Sequence, residues 1–328
     1  MKYRKLGKTG FEVSEISLGT WQVGGKWGSG FDPELAENIL NKAIDEGVNF
    51  IDTADVYEAG RSEKAVGKVV RSRSEKIYVA SKCGRQINPH VSEGYTPERL
   101  QKFVEGSLKR TGLETLDLIQ LHCPPTEVYY RPEIFGGFER LKEQGKIQNL
   151  GVSVEKVEEA LKAIEYDNVT TVQIIFNVFR QRPKELFFKE AEKRDVGIIV
   201  RVPLASGLLT GKFDKNTSFD DGDHRNFNRG GEAFDRGETF SGIDYDRGLK
   251  AVDELKKLFP DERNLAPIAL QWILQFPEVG CIIPGASKPE HLDSNLSVFD
   301  HNDLSGEKIR AMNEIYDKYI KEEVHHRW

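Results

Sequence analysis

Short β-branched or apolar runs alternate along the chain with longer segments whose apolar residues recur at three- and four-residue spacing, the signature of repeated βα units. The runs are ISLGTW (16–21), FIDTA (50–54), IYVASK (77–82), LDLIQLH (116–122), IQNLGVS (147–153), TTVQIIFN (170–177), GIIVRVPL (197–204) and GCIIPGA (280–286), eight predicted strands. Between them, Asp32-Pro33 opens a helix carrying Leu35, Ile39, Leu40 and Ala43 that stops at Gly47, and Thr96-Pro97-Glu98 opens another ending near Gly112. Proline suits a first helical position because the N–H it lacks has no partner there, and glycine suits the left-handed residue that ends a helix. Further helices are predicted over 61–71, 132–144, 155–165, 184–195, 265–276 and 289–298. Eight strand–helix units at roughly 30-residue spacing predict an α/β chain folded as a (β/α)8 TIM barrel.

Three segments exceed such a barrel. KYRKLG, the turn KTG and FEVSE predict an N-terminal β-hairpin closing its bottom. Residues 213–245, polar and rich in Gly, Asp and Arg, predict a long lid loop after strand seven, because a loop of that length inside a compact fold is usually functional or disordered. A helix near 246–259 follows it, and a last helix near 305–320 precedes the tail VHHRW. No Gly/Ser- or Pro-rich linker divides residues 1–328, so a single domain is expected.

The length of 328 residues admits two ordinary domains or one barrel, and only the βα pattern chooses. Lys+Arg 47 against Asp+Glu 53 gives a net charge of −6, which offers no global basic field for nucleic acid or an anionic membrane, and neither partner is expected. No apolar run approaches the roughly 20 residues of a membrane span, and the N-terminal stretch lacks a signal-peptide core. Cys83, Cys123 and Cys281 lie far apart with no CxxC pair, as expected of reduced thiols in a cytoplasmic protein. The 7 histidines form no HxH or HExxH pair, so no metal site is expected.

In a (β/α)8 barrel, active sites form at the C-terminal ends of the strands. Asp52, Lys82 and His122 sit at or near the ends of three consecutive predicted strands, and Tyr57 follows Asp52 in the next loop. Singly, each has a structural explanation: an Asp at a turn, a histidine in the core, a phenol at the surface. Lys82 is harder to dismiss, because an unpaired ammonium is strongly disfavoured inside an apolar strand, and Asp52 is its natural partner. Convergence of the four on one rim points to chemistry there.

The stretches GVNFIDTADVYEAGRSEKAVG (47–67), YVASK (78–82), LDLIQLHCPP (116–125), NLGVS (149–153), PLASGLLTGKF (203–213) and IIPGASKPEHLDSNL (282–296) resemble the aldo-keto reductases, in order and over essentially the whole chain. The resemblance implies the same barrel, an extended nicotinamide cofactor, and reduction of aldehydes or ketones to alcohols by hydride transfer. No GxGxxG opens a helix after a strand, so the cofactor rests on the resemblance. It implies a catalytic tetrad of Asp52, Tyr57, Lys82 and His122. Tyr57 is the implied general acid; an ordinary phenol has a pKa of about 10, which a neighbouring ammonium lowers. Asp52 keeps Lys82 charged, and His122 donates to the oxygen on which negative charge grows.

The implied cofactor is NADP(H), with NAD(H) as the alternative. Ser153 and Gln173 would meet the carboxamide, although Gly151-Val152-Ser153-Val154 puts valine where the family motif G-x-S-N has an amide. Arg201 falls at or beside the family's aromatic position against the nicotinamide, or else pairs with a lid acid such as Asp223. Pro203, Leu204, Ser206, Gly207, Leu209, Gly211 and Lys212 would wrap the pyrophosphate. Pro284, Gly285, Ser287, Lys288, His291, Ser294 and Asn295 would take the adenosine end, and Gly19, Thr20, Trp21 and Asp52 complete the implied cradle. The substrate, a small carbonyl or alcohol, would meet Trp21, Tyr57 and His122, with Trp27, Arg85 and the Tyr129-Tyr130 loop as further walls; residues 124–137 and the lid would tune specificity. Oligomeric state is not legible. The alternative within the family is a cofactor-binding cytoplasmic subunit like the potassium-channel β subunits; a metal-dependent hydrolase using His122 and Asp52 ranks below both.

Overall fold

The apolar runs become strands because each has somewhere to bury both faces: one against the barrel interior, the other against a covering helix. The computed structural model describes residues 1–25 and 30–328. After a hairpin of β1 (Tyr3–Lys5) and β2 (Glu12–Ser14) come β3 (Leu18–Gly19), β4 (Phe50–Asp52), β5 (Tyr78–Cys83), β6 (Leu116–His122), β7 (Ile147–Ser153), β8 (Val169–Ile175), β9 (Gly197–Arg201) and β10 (Val279–Ile282). β3 to β10 pair in parallel in chain order. Backbone bonds from Ser17 N–H to the Ile282 carbonyl (2.8 Å) and from Gly19 N–H to the Pro284 carbonyl (3.1 Å) bridge the last gap.

Helices α1 (Pro33–Asp45), α2 (Arg61–Ser72), α3 (Pro97–Thr111), α4 (Pro132–Glu143), α5 (Val157–Ala163) and α6 (Phe187–Lys193) cover the first six crossovers. As the sequence predicts, the Asp32 side chain accepts from the Glu34 and Leu35 N–H groups, Thr96 accepts from Arg99, and Gly112 ends α3 at φ 68°. The predicted helix over 184–195 is shortened, because Pro183 lies in a separate 3₁₀ turn, Arg182–Lys184, ahead of α6. Gly67 in α2 is where that helix meets α3: a Cβ there would lie 1.9 Å from the Thr111 carbonyl oxygen.

The hairpin plugs the N-terminal end of the barrel. Leu6, Phe11 and Val13 pack on Phe50, Tyr78, Leu118, Ile199 and Cys281 from the barrel interior. Gly197 and Gly280 make room for the plug, since a Cβ at either would lie 2.8 or 2.7 Å from Leu6 Cδ1.

At the opposite end, the predicted lid is built from short turns and a four-residue helix, α7 (His224–Phe227), and leads into α8 (Tyr245–Leu258). Asn228 Oδ1 accepts from the Ala233 and Phe234 N–H groups, an internal staple of the kind that gives a polar loop a definite shape. α9 (Ala266–Leu274) and α10 (Pro289–Leu296) flank β10, and α11 (Gly306–Tyr319) and α12 (Lys321–Val324) follow. The tail grips the lid: the Trp328 ring lies 3.9 Å beneath Arg180 and donates to Asp235, while Arg236 pairs with Glu323 at 2.8 Å. Among the described residues no helix is long and apolar enough to cross a membrane.

Candidate active site

Side chains alternate faces along a strand, so residues two apart share a side. Phe50 and Asp52 in β4, Leu118 and Gln120 in β6, and Ile199 with Arg201 in β9 put an apolar member low in the barrel and a polar one at its C-terminal rim. Asp52 and Arg201 line a cavity of about 530 Å³ beneath the lid, within the range of roughly 300–1,000 Å³ usual for small-molecule sites, and Gln120 lies behind it, bonded to Asp52.

Behind the cavity floor, in contact with its lining residues Asp52 and Tyr57, lies Lys82, 1% exposed. Its Nζ donates to Asp52 Oδ1, to the Thr53 carbonyl at 2.9 Å and to Tyr57 Oη at 3.2 Å, a full complement for an ammonium. Asp52 Oδ2 accepts from Gln120 Nε2 (2.9 Å) and Gln173 Nε2 (2.8 Å), so both carboxylate oxygens are held. Burial works against the charge on Lys82, but Asp52 and Tyr57 together outweigh it and raise its pKa. Tyr57 departs from the expectation that its phenol is shifted downward. Burial dominates and raises its pKa; the nearby ammonium pulls the other way without winning.

The His122 ring stands edge-on to Tyr57 with centroids 6.0 Å apart. Burial, helped by Lys82, Arg85 and Arg201, pushes its pKa well below the usual range, so the imidazole is neutral. Its Nδ1 is buried with no hydrogen-bond partner among the described residues. Trp21 closes one wall, stacked toward Tyr57 at 6.2 Å, and meets His224 and Phe234 of the lid at 5.1 and 5.9 Å.

The residues expected to cradle the cofactor form the rest of the wall. Gly19, Thr20, Ser153, Gln173, Arg201, Pro203, Leu204, Ser206, Gly207, Lys212, Pro284, Gly285, Ser287, His291, Ser294 and Asn295 all line it. Leu209 is instead buried in the core, Gly211 is a left-handed turn residue, and Lys288 is exposed; none of the three is on the wall. Gln173 reaches the wall, but its amide N–H is committed to Asp52 and Gln120. Ser206 and Gly207 have φ of 55° and 93°, a backbone turned away from helix or strand, and a Cβ at Gly207 would meet the Phe213 ring at 3.0 Å. Such a turn beside Lys212 and Arg225 suits an anion bound by backbone and side-chain donors, so the cradle fits a dinucleotide.

Arg201 meets a lid acid, but it is Glu238 and not Asp223. Nη1 pairs with Glu238 and Nη2 donates to the Val154 carbonyl at 2.8 Å, while Asp223 is engaged by Arg225 in a forked pair. Trp27 lies outside the described residues. Tyr129 is fully buried, Tyr130 is exposed, and neither reaches the cavity.

Several residues of the site were not anticipated. Gln120, behind the wall, was legible, standing two positions before His122 in a strand and so on the same face. Glu238, Arg225, His224 and Phe234 were not, because the lid carries no periodic pattern. Among the described residues no group of three or more His, Cys, Asp or Glu is arranged to hold a metal ion.

Residues 15–317 match the model of the Aldo/keto reductase family. The uncharacterized oxidoreductase YqkF of Bacillus subtilis is 30% identical over 95% of both chains. The NADH-specific methylglyoxal reductase of Escherichia coli is 27% identical over 97% of this chain and 100% of its own. A putative voltage-gated potassium channel subunit beta of Schizosaccharomyces pombe is 29% identical over 95% and 92%. Among solved structures, the glycerol dehydrogenase AKR11B4 of Gluconobacter oxydans superposes with a TM-score of 0.79 at 29% identity, covering 97% of this chain and 96% of that one.

Proposed function

The chain belongs to the aldo/keto reductase family and is an NAD(P)H-dependent oxidoreductase, and from that premise we propose that it reduces small aldehydes or ketones to alcohols with NADPH, Tyr57 delivering the proton. The observation that carries this reading is the Lys82 ammonium held by Asp52 and the Thr53 carbonyl and pointing its remaining contact at Tyr57 Oη.

A bound nicotinamide supplies the hydride. Ser153, Gln173 and Arg201 would hold its head, the 203–212 turn with Arg225 its phosphates, and Ser287, His291 and Asn295 its far end. As negative charge grows on the carbonyl oxygen, Tyr57 gives up its phenolic proton to that oxygen. The raised pKa keeps the phenol protonated until it is needed, and the contact with Lys82 stabilises the phenolate that forms. The neutral His122 donates a hydrogen bond to the same oxygen without carrying a charge that would compete for the proton. Trp21 and the lid exclude water from the reacting atoms.

Ser287 and His291 at the far end of the cradle, with the Lys288 charge beside His291, favour the extra phosphate of NADPH. Comparing kcat/KM for NADPH and NADH across a panel of aldehydes, ketones and sugars, in both directions, tests the function and the cofactor together. The expected outcome is aldehyde reduction with NADPH preferred about tenfold or more. Preference for NADH contradicts the cofactor assignment, and no turnover in any combination contradicts the function.

A further inference from the structure

Strand order divides the cavity wall into two sides. Tyr57 and His122, with Lys82 behind Tyr57, come from β4 to β6 and the loops after them, whereas most of the expected cofactor groups follow β7 to β10. Arg85 belongs to the first side. It lies three residues beyond Lys82, past Gly84, whose φ of 105° turns the chain at the top of β5. Its side chain is 23% exposed and lines the cavity with Tyr57 and His122.

The neighbouring cations are engaged by protein acceptors: Lys82 has three, and across the cavity Arg201 binds Glu238 and the Val154 carbonyl through its two Nη groups. Among the described residues Arg85 has one acceptor, Glu155, through a single Nη1 contact at 3.4 Å, the longest arginine–carboxylate pair there. Glu155 does not line the cavity. It is also a weakened counter-charge: burial, with Asp235 nearby, pushes its pKa up to about 7. A guanidinium carries five donors in a planar fork, so most of the recognition capacity of Arg85 remains for a ligand.

Resting on the reductase reading above, we propose that Arg85 is an anion subsite of the substrate pocket, selecting aldehydes or ketones that bear a carboxylate or a phosphate. Both groups match the guanidinium fork. A substrate anchored there by its anionic end, with its carbonyl oxygen at Tyr57 and His122, is held at two points, and the remote contact orients the reacting carbon.

The test uses two matched pairs with saturating NADPH: succinic semialdehyde against butanal, and glyceraldehyde 3-phosphate against glyceraldehyde. The unsubstituted protein is expected to favour the anionic member of at least one pair, and which pair does so separates carboxylate from phosphate. Arg85→Gln is expected to reduce that anionic-to-neutral ratio of kcat/KM by roughly 10- to 100-fold, chiefly through KM, with Arg85→Lys restoring part of it. Preference for the neutral member of both pairs overturns the proposal, as does an equal loss on both members in Arg85→Gln. If Arg85→Gln does not fold, competition decides: succinate or inorganic phosphate is expected to compete with butanal where succinamide does not, and absence of competition overturns the proposal. Absence of turnover on all four substrates with either cofactor removes the reductase reading, and the subsite with it.

Discussion

Lys82 shows how one residue can carry both stability and chemistry. Its ammonium and the Asp52 carboxylate are each almost wholly buried, so neither tolerates loss of the other. Lys82→Met, which leaves Asp52 uncompensated, is expected to destabilise the fold by about 3–5 kcal/mol in urea denaturation, with Lys82→Met/Asp52→Asn recovering part of that loss. A cost near zero for the single change contradicts the pairing. Asp55 is the opposite case: among the described residues no side chain pairs with its buried carboxylate, and burial together with Glu63 raises its pKa to about 7. An unfolded aspartate titrates near pH 3.9, so between that value and about 7 the folded chain binds more protons than the unfolded one. The resulting stabilisation is complete below the unfolded pKa and is lost as pH rises through about 7. Asp55→Asn should therefore gain on the order of 2–4 kcal/mol over the parent at alkaline pH and nothing near pH 4; a gain independent of pH contradicts the assignment. At this scale the polar strand ends made Asp52, Lys82 and His122 legible. Gln120 was missed although alternation marks it. The partner of Arg201 was not legible at all, since Glu238 is brought 37 residues along the chain by the lid.

At the scale of elements, periodic segments with local start and stop signals were readable, and segments defined by distant partners were not. α1 and α3 begin and end where their caps say, because the cap bonds lie within one turn. The lid has no such periodic grammar: besides the local Asn228 staple, its shape depends on the Glu238–Arg201 pair and the Trp328–Asp235 contact, which span 37 and 93 residues. The contact of α2 with α3 also depends on a single position, Gly67, packed on the Thr111 backbone. Gly67→Ala gains helix propensity of roughly 1 kcal/mol yet must move one helix off the other, at a cost of roughly 1–3 kcal/mol or more. A net loss in thermal denaturation is expected. Stabilisation would show that the two helices separate freely.

For the whole molecule, eight strands and a plugging hairpin turn a modest net charge of −6 into a site whose charges are locally arranged: a paired ammonium buried behind the floor, cations toward one end, and Arg85 on the wall with Tyr57 and His122. The barrel was legible from eight similarly spaced apolar runs. Its closure through Ser17 and Gly19 was not, because β3 contributes only two residues to the ladder. The central claim is that this frame makes Tyr57 the proton donor, and the most direct measurement is single-turnover reduction of a small aldehyde by Tyr57→Phe, followed through NADPH absorbance alongside NADPH binding. The predicted result is a rate lowered roughly 10²- to 10⁴-fold with cofactor affinity within about threefold of the unsubstituted protein. A Tyr57→Phe protein that binds NADPH and still reduces the aldehyde at close to the unsubstituted rate would contradict it.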